Sequence, residues 1–141
     1  LGYLFDAVYA DRDALAERSK QGEAGLDGEF ISLLRKVRSQ GNKRGEPSLY
    51  CEYGDYLLAQ KRPAEAVSMF IESLRITRSF GWTLHEPALL TSLFKARFFS
   101  GDEAGARATL AELETFLKDH PDIPAARKLL GLRHAGRRSS V

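Results

Sequence analysis

The chain has 141 residues, enough for one domain with a real core. It is 43% hydrophobic and 28% charged, with mean hydropathy −0.32. No run of about 18–20 apolar residues is present to span a membrane. The opening "LGYLFDAVYADRD" meets acid too early and lacks the basic lead of a signal peptide. It begins at Leu1 rather than Met, the expectation for a piece of a longer protein. One cysteine, Cys51, makes no internal disulfide and suits a reducing cytoplasm. The net charge of +2 is uneven: up to Ala126 acids outnumber bases 19 to 16. Arg127, Lys128, Arg133, Arg137 and Arg138 then supply the remaining five cations, either a solvated end or a contact for an acidic partner.

The expected helices, in chain order, are about 3–20, 26–40, 47–60, 63–79, 86–100, 102–118 and 122–133. The stretch after the first helix, "GEAGLDG", has three glycines, but no strand before it and no Lys-Ser/Thr after it, so it is no phosphate loop. The second helix, "FISLLRKVRSQG" at 30–41, returns as "FIESLRITRSFG" at 70–81, an offset of 40. Phe30/Phe70, Ile31/Ile71, Leu34/Leu74, Arg38/Arg78, Gly41/Gly81, Glu46/Glu86, Pro47/Pro87 and Glu72/Glu112 are identical pairs at that offset. Self-similarity at this period marks a repeat architecture. Gly41 and Gly81 follow helix ends, while Pro47 and Pro87 sit in first turns, where a missing N–H costs nothing. Pro63 and Asp102 are expected at a first helical position and an N-cap. Ala24, Ala64, Ala66, Ala104 and Ala106, early in each second helix, and Gly54 in a first helix, are expected to let the two helices of a pair approach closely.

The stretch "LYCEYGDYLLAQKRPAEAVSMFIESL", with Tyr50, Tyr53, Gly54, Leu57, Ala66 and Phe70, resembles a tetratricopeptide repeat. The resemblance spans roughly residues 5 to 120, and the longer unit is closest to MalT-like bacterial regulators and Rap-type proteins. It implies an all-α, right-handed solenoid of antiparallel helix hairpins: about three units (7–46, 47–86, 87–121), a capping helix at 122–133 and a basic tail at 135–141. It further implies a protein-interaction module of a larger bacterial regulatory or sensory protein, with first helices lining a concave groove for a protein or peptide. Groove residues carried over are Asp11, Leu15, Arg18, Ser48, Cys51, Asp55, Leu58, Thr91, Lys95 and Phe98, together with Ala88. A free-standing chaperone or adaptor, and a homodimer or spacer using Tyr3, Leu4, Phe5 and Tyr9, are the alternatives.

Catalysis finds little support. His85, His120 and His134 lie in separate segments without metal-ligand spacing, Cys51 has no second Cys, and the carboxylates fall on polar helix faces. No enzyme activity, metal or cofactor is expected. Arg35, Arg38, Arg75, Arg78 and Lys118 align at the repeat offset. They read either as cations favoured by helix C-termini or as a basic ridge for an acidic partner. Nucleic-acid binding is disfavoured by the net acidity of the repeats.

Overall fold

The structure, a computed structural model, describes residues 2–41, 44–116 and 124–131, with side chains from residue 10 onward. Lys118, the tail at 135–141 and the side chains of Tyr3, Leu4, Phe5 and Tyr9 lie outside the described residues, as do His120, His134 and both ends of the expected capping helix. Among the described residues every regular element is helical: α1 (Gly2–Lys20), α2 (Asp27–Ser39), α3 (Gly45–Ala59), α4 (Pro63–Ser79), a 3₁₀ turn (Thr83–His85), α5 (Glu86–Phe99), α6 (Glu103–Phe116) and α7 over 124–131. The chain is all-α.

Why the helices stop where they do is a backbone matter. Residues 22, 41, 61, 81 and 101 each take a positive φ just past a helix end. After α4, Trp82 N–H donates to Thr77 C=O and Gly81 N–H to Arg78 C=O. After α3 and α5 the same pair of bonds runs from Arg62 to Leu57 with Lys61 to Leu58, and from Asp102 to Arg97 with Gly101 to Phe98. These paired bonds satisfy carbonyls that a helix end leaves open. Four of the five closing residues are glycine; the fifth is Lys61, at φ +59°. Pro63 opens α4 as expected, and the Asp102 carboxylate accepts from Gly105 N–H at 2.9 Å, capping α6.

Three-residue turns at 60–62 and 100–102 fold α4 back on α3 and α6 back on α5. α4 also packs on α5, α2 on α3, and each of α1 and α5 touches α3. One core runs through all of this, from Leu15 and Leu26 through Phe30, Tyr56, Phe70 and Phe94 to Leu113 and Leu130. In the middle pair, a Cβ on Gly54 would stand 2.7 Å from the Phe70 ring, so the absent side chain is what admits the phenyl group. At the aligned places of the next pair the bulk is exchanged: Phe94 stands for Gly54 and Leu110 for Phe70, and both are buried.

The small-residue expectation needs correction. Ala66 and Ala106 are fully buried, but Ala64 and Ala104 face solvent, and Ala24 lies in the loop before α2. Leu26 occupies the aligned place of Ala66 and is buried, a bulkier residue in a pair that packs less closely.

The repeated residues make repeated junctions. Arg78, in the last turn of α4, reaches Glu86 of α5 at 3.2 Å and Glu112 of α6 at 3.0 Å. Forty residues earlier Arg38 lies 3.8 Å from Glu46 and over the Tyr50 ring at 5.6 Å. Arg38 and Arg78 are thus clasps between successive helices. Arg75 pairs with Glu72 on its own helix and above all holds that carboxyl below its ordinary range, with Arg38 adding a smaller pull; Arg35 faces solvent.

Candidate functional site

Three depressions in the surface are lined by described residues. The first, about 260 Å³ between α1 and α2, is lined by Asp11, Ala14, Leu15, Arg18, Glu29, Ser32, Leu33 and Lys36. The second, about 480 Å³, lies where α3 and α5 diverge over the end of α4, with Ser48, Cys51, Glu52, Thr77, Trp82 and Ala88 on its wall. The third, about 410 Å³, is formed by Leu58, Lys61, Pro63, Lys95 and Phe99.

The expected groove residues from α3 and α5 are only partly gathered by these. Ser48 and Cys51 share the second pocket with Ala88; Leu58 and Lys95 share the third. Asp55, one helical turn from Cys51 and from Leu58, is open to solvent on the same side of α3. Surrounding protein nevertheless displaces enough water to push its carboxyl pKa up, with Lys95 and Lys20 pulling it down. A group that water can reach but that protein flanks is what a concave wall produces. Burial likewise pushes the Cys51 thiol up to about 12, aided by Asp55 and Glu52, so at neutral pH it stays a neutral thiol and no nucleophile. Glu52 is pushed up by burial as well, against the pull of Arg12.

Two expectations need correction. Asp11, Leu15 and Arg18 face α2 rather than α3: Leu15 is 3% exposed, and Arg18 donates to Glu23 at 2.7 Å and Glu29 at 2.9 Å, contacts that raise its pKa. The cause is a one-residue slip. The positive-φ residue closing α1 is Gly22, and 61 − 22 gives 39, whereas 101 − 61 gives 40. Aligned on those closing residues, Arg12, Ala16 and Ser19 take the places of Cys51, Asp55 and Leu58, and all three are half-buried. Arg12 Nε lies 3.7 Å from Glu52 Oε1, so it is Arg12 that faces α3. Second, Phe98 is 8% exposed and stacks on Phe94 at 6.1 Å, while its neighbour Phe99 is 61% exposed and lines the third pocket. Thr91 is half-buried on α5 and donates its hydroxyl to Pro87 C=O at 2.9 Å.

One polar cluster had no signal in the sequence. At the start of α2, the Asp27 carboxylate accepts from Tyr53 at 2.7 Å, Tyr56 at 3.2 Å and Arg62 at 2.9 Å. The Tyr56 hydroxyl also accepts from Leu26 N–H at 3.0 Å. Arg62 above all holds the Asp27 carboxyl below its ordinary range, and burial together with Asp27 pushes the Tyr53 phenol up. Its members bind one another across α2, α3 and the turn to α4, so the cluster is structural.

Among the described residues no group of three or more His, Cys, Asp or Glu could hold a metal ion, and no helix is long and apolar enough to cross a membrane. No protein-family model, curated protein or solved structure matches the chain.

Proposed function

We propose that the chain is a solenoid of antiparallel helix hairpins, resembling tetratricopeptide repeats, that binds a partner protein or peptide along the face shared by α1, α3 and α5. The observation that carries this reading is the state of α3: Cys51, Glu52, Asp55 and Leu58 lie together on a partly accessible face, flanked by α1 and α5. A helix packed this way offers successive turns to an extended or helical ligand. Its neutral thiol and scattered carboxylates give no nucleophile–base pair, so binding is proposed rather than catalysis. As in MalT-like regulators, the module would serve a larger bacterial regulatory protein in the cytoplasm, an analogy of fold and not of site.

The test is a groove block. Ser48 and Ala88 are exposed, so Ser48→Arg with Ala88→Arg should leave the circular dichroism spectrum and melting curve unchanged. Protein captured from native lysate by the wild-type chain and lost from this variant would support the groove. Equal capture by both would overturn it.

A further inference from the structure

The third pocket has a chemistry that the other two lack. Leu58, Pro63 and Phe99 supply apolar walls, Lys61 and Lys95 supply two ammonium groups, and no acid is among its described lining residues. Its volume, about 410 Å³, falls within the range of about 300–1,000 Å³ usual for ligand pockets. Phe99, at the pocket's edge, is 61% exposed. Aromatic side chains, Phe among them, are enriched where proteins meet.

An independent sign comes from the backbone. Lys61 holds the left-handed conformation that glycine holds at 22, 41, 81 and 101. Glycine would suit the turn better, and this chain uses it at every other such closure among the described residues. A side chain kept where the backbone disfavours one points to a role for that side chain, and strain of this kind collects at binding sites. The residue retained here is a cation, and it lines the same pocket as the second cation.

We propose that this pocket docks a partner peptide carrying a large apolar side chain flanked by Asp or Glu: the apolar group against Leu58, Pro63 and Phe99, the carboxylates on Lys61 and Lys95. The inference rests on the peptide-groove reading above and names the chemistry of its ligand. Asp55 faces Lys95 from α3 and offsets part of its charge, so it competes with the incoming carboxylate.

The experiment is panning of a random twelve-residue peptide display library on the 1–141 chain, followed by fluorescence polarisation with the consensus peptide. The expected consensus has Leu, Ile, Phe or Trp within three residues of Asp or Glu. Lys61→Gly should raise the melting temperature by about 2–4 °C and yet weaken peptide binding about two- to fivefold. Lys95→Gln should weaken binding by a similar factor, and Asp55→Asn should tighten it. A merely structural Lys61 would give the thermal gain with unchanged affinity, and that result overturns the proposal. Selected peptides that lack acids, or carry basic residues instead, overturn it too while leaving the groove reading standing. Failure to select any peptide overturns both.

Discussion

Two adjacent phenylalanines show how far one step along a helix changes a residue's environment. Phe98 is packed against Phe94 inside the core, and Phe99, about 100° further round, stands in water. Phe98→Ala should cost about 3–5 kcal/mol in urea unfolding, the usual loss for a buried aromatic. Phe99→Ala should change stability by less than about 0.5 kcal/mol. Asp27 makes a second residue-scale prediction. Its folded pKa is depressed, so its contribution is complete above the unfolded value near 3.9 and disappears as pH falls through the folded value. Asp27→Asn should therefore cost about 1–2 kcal/mol at pH 7, and the gap between variant and wild type should close in melts carried to lower pH. Of these two sites the sequence showed neither. Periodicity cannot choose between neighbours that are both apolar, and the Asp27 cluster joins residues up to 35 positions apart.

At the scale of the element, the ion pairs between helices explain why the chain writes one helix twice. Arg78 and Glu86 are each half of a contact that exists only when α4 has packed on α5. Glu86 keeps only 9% of its side chain exposed, so removing the arginine leaves a nearly buried carboxylate without its partner. Arg78→Ala should cost about 1–3 kcal/mol by thermal or urea unfolding. Arg38→Ala should cost less, because Glu46 is more accessible and 3.8 Å away. A double-mutant cycle on Arg78 and Glu86 would separate their coupling from the helix-dipole effect that a cation in a last turn also enjoys. The helices themselves were legible, with ends within about two residues wherever described, because Gly41, Gly81, Pro63 and Asp102 are local punctuation that acts through the backbone. The groove positions of the first unit were not. They depend on a single-residue difference in the turn after α1, and the worn first copy offers too few identities to reveal it.

Over the whole molecule, contacts run mainly between helices adjacent in the chain, with α3, α4 and α5 the most enclosed and α1 attached more loosely. Where helices touch mainly their neighbours, local stability need not be uniform along the chain. Amide hydrogen exchange should be slowest in α3, α4 and α5 and faster in α1 by a factor of ten or more, each factor of ten being about 1.4 kcal/mol of local opening. Equal protection across all helices would mean that the chain unfolds as one cooperative block. The exchange of bulk between Gly54–Phe70 and Phe94–Leu110 bears on how the helices find their mates at all. Hairpins built on one plan invite mistaken pairing, in which a helix of one docks on the partner of another, within one molecule or between two. Here each mistake carries its own penalty: α3 against α6 would set Gly54 beside Leu110 and leave a hole, while α4 against α5 in hairpin fashion would drive Phe70 into Phe94. The backbone repeats, but the side chains address each helix to its own mate.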